Sequence, residues 1–328
     1  MPQIRPRVSS RKNPHRSSTG REDAGRIGIH TSRSKSLENS AGIAHDLGAN
    51  TFQIFSASPR MWRASAPDPV DVKRFRAARE KYSLAPLSIH VNYLINLATL
   101  DPVIREKSIV AFRGELDRAA AIGAEYLVLH PGNYKGQSLE EGIAALVLGL
   151  AEAAHEFRAP GLTVLIENTV GCGSQIGSRF EELRSIRELA ARETDLPIAF
   201  CLDTCHLYAA GFDIASAKEL DTTVAAIEET LGLDSVRIIH TNDSKGELGS
   251  RLDRHANIGE GNIGEAGFRR ILGHPALREK PFILETPVDE EGDDRRNVET
   301  LKRLWAEPAL PAKRSAALKR SVFRAAAE

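Results

Sequence analysis

Six short apolar runs each end on a side chain that can bind a metal: LSIH at His90, YLVLH at His130, TVLIE at Glu167, AFCLD at Asp203, VRIIH at His240 and PFILE at Glu285. Imidazole and carboxylate are the donors of hydrolytic metal centres. A run this short and apolar has the pattern of a strand buried on both faces. Parallel α/β folds place their chemistry at the C-terminal ends of such strands. One such ending means little, because a lone strand-end histidine is commonly just hydrogen-bonded, Asp203 could cap a following turn, and Glu285 could pair with an arginine. Six together predict a metal-centred active site.

Three further donors extend the set: His206, three residues after Asp203, and the pair Asp253 and His255 in a long polar segment. The total is nine, made of five His, two Asp and two Glu. A closed zinc site takes about four ligands and a catalytic one about three plus water, so nine suit two or three ions that share carboxylates. Ions roughly 3.5–4 Å apart can ionise a bridging water and stabilise both oxygens of an in-line phosphoryl displacement. Imidazole-rich, carboxylate-supported donors favour Zn²⁺, with Mn²⁺ or Fe²⁺ as competitors. His15, His45, His155 and His274 fall in tails, helices or loop ends and serve as an internal contrast. His30 ends the first strand-like run, where it either packs or hydrogen-bonds behind a ligand.

The elements that must carry these donors follow from periodicity. Strand-like segments at 27–31, 51–56, 86–90, 126–131, 162–168, 198–205, 236–243 and 281–286 alternate with helix-like ones near 37–47, 69–82, 102–122, 138–157, 179–192, 217–231, 265–272 and 295–306. Strict alternation of this kind predicts a single (β/α)₈ TIM barrel over 26–306. An open doubly wound sheet is the other arrangement, but it seldom puts donors on so many strands. Two loops on the donor side are long: 244–264, which is Gly-rich and polar, and the one after the second strand, ASPRMWRASAPD, which mixes basic with aromatic residues. Loops of such length in a compact domain are usually functional.

The chain has 328 residues, 41% hydrophobic and 27% charged, with no formal net charge, which excludes a generic polyanion binder but not a local basic surface. Residues 1–26 hold seven Arg and Lys against two acids, and 308–328 hold five against one. Residues 1–25 and 307–328 are therefore expected to be disordered basic arms around a net acidic core. The N-terminal arm lacks the apolar segment of a secretory signal, and its prolines argue against a transit peptide. Three cysteines make no disulfide framework, which points to a reducing, cytoplasmic setting. Cys201 and Cys205 flank Asp203, but with no second Cys pair they read as small packing residues, not half a zinc site. No apolar stretch is long enough to span a membrane.

The strings HVNYLINLA (90–98), LHPG (129–132), IENT (166–169), CLDTCHLYAAGFD (201–213), HTNDSKGELGSRLDRH (240–255), IGEGNIG (258–264) and ILET (283–286) resemble those of the endonuclease IV family. That family comprises barrel-fold repair enzymes acting at abasic sites in DNA. The resemblance spans roughly 26–306 and implies three zinc ions. His90 and His130 would hold the first; Asp203, His240 and Glu285 the second; and Glu167 would bridge them. His206, Asp253 and His255 would hold the third. Glu167 and Glu285 would then be catalytic, and the reaction would be hydrolysis 5′ to the abasic sugar, leaving a 3′-hydroxyl and a 5′-deoxyribose phosphate. The implied substrate is double-stranded DNA with abasic sites or blocked 3′ ends, and the protein is expected to be a nucleoid-associated monomer.

The resemblance also implies that Arg60 and Tyr93 enter the base stack at the lesion, a role that suits an abasic nucleotide because it is cheap to flip. A plainer role for Arg60 is a phosphate contact. Lys245, Arg251 and Arg254 are expected to touch phosphates. The chain departs from the family pattern at Lys35 and Ser36, where Gly-Gly is usual, and at Ser58 and Pro59, where amide side chains are common. Both departures bear on lesion preference, not on the donors. A competing reading is a single-metal sugar isomerase or epimerase of the same barrel superfamily, for which Glu167, Asp203, His240 and Glu285 would suffice. It leaves the other five donors unexplained.

Overall fold

A computed structural model describes residues 25–32 and 36–307. The basic arms, apart from Gly25 and Glu307, and Lys35 lie outside the described residues. Eight parallel strands close a barrel: β1 (Ile27–His30), β2 (Thr51–Phe55), β3 (Leu87–His90), β4 (Tyr126–Leu129), β5 (Thr163–Glu167), β6 (Ile198–Asp203), β7 (Val236–His240) and β10 (Phe282–Leu284). The expected single TIM barrel is what the chain forms. A two-stranded antiparallel ribbon, β8 (Asp243–Ser244) with β9 (His255–Ala256), stands apart from it.

The strands are buried on both faces, and the two faces do different work. Ile27, Ile29, Phe52, Ile54, Leu87, Ile89, Val164, Ile166, Phe200 and Leu202 point outward into one large core beneath the helices. The alternate residues Val128, Leu165, Ala199, Cys201, Ile238 and Ile283 fill the lumen as a separate apolar plug. Strand side chains alternate with period two, so the next inward position on each strand lies one layer above the plug. There stand His90, His130, Glu167, Asp203, His240 and Glu285. Each Val, Leu, Ile or Phe side chain fully buried in either core contributes about 1.5–3 kcal/mol.

Among the described residues the connecting helices start where local chemistry permits. Pro69 and Pro102 open α2 (Pro69–Tyr82) and α3 (Pro102–Ile122) behind the capping carboxylates of Asp68 and Asp101. Ser138 and Glu141 form a reciprocal capping box on α4 (Leu139–Ala153). That helix stops four residues short of the predicted 157, where Glu156 turns to φ 57°.

Two segments depart from the sequence reading. Residues 204–205, expected to continue strand six, instead begin a short helix, α6 (Thr204–Ala210), because the Asp203 carboxylate accepts the His206 backbone N–H and caps it. The loop 244–264 is less irregular than expected, since Ser244 pairs with His255 in the ribbon. His130 and Glu285 sit one residue beyond the last hydrogen-bonded position of their strands.

Candidate metal centre

Glu167 occupies the middle of the open end of the barrel and is fully buried. Four imidazole nitrogens surround its carboxylate: His90 Nε2 at 3.3 Å, His130 Nε2 at 3.1 Å, His206 Nδ1 at 3.4 Å and His240 Nδ1 at 3.1 Å. The donor atoms of His90, His130 and Glu167 lie within 4.8 Å of one another, as do those of Glu167, Asp203, His240 and Glu285. Glu167 is common to both groups. A third group, Asp203 with His206 and His255, shares Asp203 with the second. Asp253 joins it, with Oδ1 3.3 Å from His206 Nε2 and 3.4 Å from His255 Nε2. The protein thus holds adjoining groups able to bind metal, and every donor expected from the sequence stands in one of them.

The histidines are oriented as ligands need to be. A ligating imidazole gives one nitrogen to a fixed acceptor and turns the other toward the metal. His90 Nδ1 faces the Val91 carbonyl at 2.8 Å, His206 Nδ1 the Asn168 carbonyl at 2.9 Å, and His255 Nδ1 the Glu285 carbonyl at 3.0 Å. Carbonyls only accept, so each ring carries its proton there and presents Nε2 to the site. His255 Nε2 is buried without a hydrogen-bond partner among the described residues. An orphaned imidazole nitrogen facing carboxylates is what a metal ligand lacking its ion would look like, so the residues present fit a metal.

The charges hold one another in place. Burial opposes ionisation of Glu167, yet His240 and His130 hold its carboxyl well below the usual range. Burial likewise opposes charge on Glu285, and His240 holds it low. Burial works against a charged His206, but Asp203, Asp253 and Glu167 lift it to about 10. His240 and His90 are raised against burial in the same way, by the carboxylates of Glu285 and Glu167. Cys201 and Cys205 are buried free thiols pushed up to about 12, chiefly by burial, as suits packing residues, although Cys201 Sγ also lies within 4.8 Å of donor atoms of Glu167 and His240.

The long loop is shaped by Asp243, which is fully buried. Its carboxylate accepts backbone N–H bonds from Ser244 (2.8 Å), Gly259 (3.0 Å), Gly261 (3.1 Å), Ile263 (2.9 Å) and Gly264 (3.2 Å). A Cβ on Gly261 would come within 2.5 Å of both Asp243 Oδ1 and the Ser244 carbonyl, which accounts for glycine there. This packing folds the segment back so that Asp253 and His255 reach the site. Lys245, Arg251 and Arg254 lie exposed along the same loop. Arg251 sits at φ 56°, its N–H tied to the Ala209 carbonyl at 2.9 Å.

Arg60 is exposed on the loop after β2, and Tyr93 is 65% exposed on the loop after β3. The Tyr93 N–H donates to the Pro59 carbonyl at 3.3 Å, so the two side chains stand on loops that touch. The Tyr93 ring lies 5.3 Å from Phe55 and 5.8 Å from His90. Ser36 caps α1 (Leu37–Asp46) by accepting the Asn39 N–H, while Ser58 and Pro59 lie on the Arg60 loop. The root of that loop is fixed from below: Ser56 donates to the buried Glu115, and Arg118 bonds both Ser56 Oγ (2.7 Å) and Glu115 Oε1 (2.9 Å).

Three amides were missed in the sequence. Asn168 Oδ1 accepts the Asp203 N–H at 2.6 Å, Asn242 Nδ2 donates to Asp203 Oδ2 at 2.5 Å, and Gln53 touches both His240 and Glu285. Asn168 directly follows a donor and Asn242 lies two residues after one, while Gln53 breaks an otherwise apolar strand; these are the signals that could have found them.

The profile of the xylose isomerase-like TIM barrel family matches residues 42–307. A probable endonuclease 4 from Solibacter usitatus is 65% identical over 85% of this chain and 96% of its own length. Another, from Methanoculleus marisnigri, is 40% identical over 85% of this chain and 98% of its own. Among solved structures, endonuclease IV from Thermus thermophilus superposes with a TM-score of 0.73 at 38% identity, covering 85% of this chain and 98% of that one.

Proposed function

The chain belongs to the endonuclease IV family within the xylose isomerase-like barrels, and from that membership we propose that it is a DNA-repair hydrolase cutting the phosphodiester 5′ to an abasic site. The products are a 3′-hydroxyl and a 5′-deoxyribose phosphate, and the same site trims blocked 3′ ends. The carrying observation is the sharing of Glu167 between two donor groups, with a third group adjoining through Asp203. A one-metal sugar isomerase needs only Glu167, Asp203, His240 and Glu285, and it gives no role to His90, His130, His206, Asp253 and His255.

Zn²⁺ is the ion we assign, three per chain, because five imidazoles dominate the donor set. His90, His130 and Glu167 hold one; Glu167, Asp203, His240 and Glu285 a second; and His206, Asp253 and His255 the third. Bound there, the ions supply Lewis acidity to the phosphate oxygens and acidity to an attacking water. The protein's own groups do the rest. Glu167 and Glu285 fix the donor geometry, and the loop 244–264 brings Asp253 and His255 against the β6 donors. Arg60 and Tyr93 fill the space an extrahelical abasic nucleotide leaves. Lys245, Arg251 and Arg254 lie along one exposed loop and hold phosphates by charge. Among the described residues no helix is long and apolar enough to cross a membrane. We assign the protein to the cytoplasm, acting as a monomer on the nucleoid.

The test is incision of a duplex carrying one abasic-site analogue, with both product ends identified and undamaged duplex as control. A single cut 5′ to the lesion with a 3′-hydroxyl is expected, lost on chelation and restored by Zn²⁺. No cut by protein that carries zinc would sink the proposal.

A further inference from the structure

Gln53 sits at the centre of β2, facing the lumen and fully buried. Its Cα partners across the neighbouring strands are His30 and Ser88, level with it. A buried primary amide has two N–H donors and a carbonyl with two acceptor sites, and each one left empty is costly. Gln53 fills all four. Nε2 lies 2.5 Å from Glu285 Oε1 and 3.0 Å from His30 Nδ1, and Oε1 lies 2.5 Å from Ser88 Oγ and 3.0 Å from His240 Nε2.

The orientation of this amide is set by charge. Turned over, it would place its carbonyl 2.5 Å from the Glu285 carboxylate, two acceptors facing each other with no proton between them. With Oε1 toward His240, the imidazole must carry a proton on Nε2. Its Nδ1 is then the atom that faces Glu167 Oε1 (3.1 Å) and Glu285 Oε2 (3.2 Å). The Nε2 donation also engages Glu285 Oε1, so Oε2 is the oxygen left toward the donor group. The contact to His240 crosses the lumen, since β1 and β10 separate β2 from β7 in the barrel.

We infer that Gln53 is a positioning residue for the metal centre: it reaches across the barrel to fix the His240 tautomer and to select which Glu285 oxygen is a ligand. This rests on reading the site as a metal centre. Glutamate at 53 would set a second carboxylate against Glu285, and an apolar side chain would fill the volume but specify neither ligand atom.

The experiment titrates the metal-free full chain with Zn²⁺ against a chromophoric chelator, comparing wild type, Gln53→Met and Ser88→Ala. Partners behind a ligand commonly contribute about 10–100-fold in metal affinity. Gln53→Met is expected to weaken one ion by that factor and leave the others in place, and Ser88→Ala to weaken the same ion less. Proton–nitrogen spectra of the zinc-loaded wild type should show a slowly exchanging His240 Nε2–H that Gln53→Met loses. A purely packing role would lower the melting temperature of Gln53→Met while leaving affinity and that signal intact, which would overturn the inference alone. Should Gln53→Met fail to fold, Ser88→Ala decides by the same criterion. A wild type that takes up no zinc would bring down the metal-centre reading and this inference with it.

Discussion

Replacing Glu167 with Gln keeps the side chain's shape and removes its charge at the one point where two donor groups meet. Four imidazole nitrogens stand between 3.1 and 3.4 Å from that carboxylate. Glutamine leaves one acceptor and turns the other position into a donor facing imidazoles and ions. Losing a hydrogen bond to a charged group costs about 1.5–3 kcal/mol. Counted once for each of the two groups that share Glu167, the loss is about 3–6 kcal/mol, or roughly 10²–10⁴ in rate. The assay is single-turnover incision of an abasic-analogue duplex, run beside metal analysis and a circular dichroism spectrum. An incision rate at least about a hundredfold lower is expected, with unchanged secondary structure and reduced metal content. Incision within tenfold of wild type by a variant with its full metal complement would refute the sharing argument.

Arg60→Ala should reduce preference for an abasic over an undamaged duplex more than it reduces binding to either; equal losses in competition binding would make Arg60 a phosphate contact only. Asp243→Ala should free five backbone N–H groups, cost on the order of 3 kcal/mol, and weaken zinc at the Asp253–His255 group; unchanged hydrogen exchange of amides 259–264 would contradict its anchoring role. Metal removal should make stability depend on pH in a defined direction. His206 is raised from 6.5 to about 10, so its ion pairing stabilises the metal-free protein fully below pH 6.5 and is lost as pH climbs through about 10. Zinc must displace such protons, so its affinity should fall as pH falls, with proton release on binding measurable by calorimetry in buffers of different ionisation enthalpy.

Six of the nine side chains could be placed from the sequence because each closes a short, largely apolar strand-like run, whereas His206, Asp253 and His255 come from a helix and a loop and only the fold brings them to the same end of the barrel. Arg60 and Tyr93 could be named from their strings, but the Pro59–Tyr93 backbone bond and the Phe55–Tyr93 ring contact that join their loops are encoded by no local pattern. Gln53 showed in the sequence only as a polar break in its strand, because its partners His240 and Glu285 lie far along the chain and only barrel closure makes them neighbours. The helix α6 was misread because AFCLDTC is apolar and rich in strand-compatible residues, and the cap that ends the strand is Asp203, already assigned as a ligand. The role of Asp243 lies in five backbone amides that carry no sequence signature of their own.

The lumen plug has a consequence for how the protein comes into being. Val128, Leu165, Ala199, Cys201, Ile238 and Ile283 seal the barrel axis through contacts that need no ion. Above them the carboxylates and protonated imidazoles neutralise one another, so the cage can stand before it is filled. Synthesis and metallation are then separable events. On the proposed reading the barrel closes first and the donor groups are filled afterwards, so metal supply sets when the chain becomes active and not whether it folds.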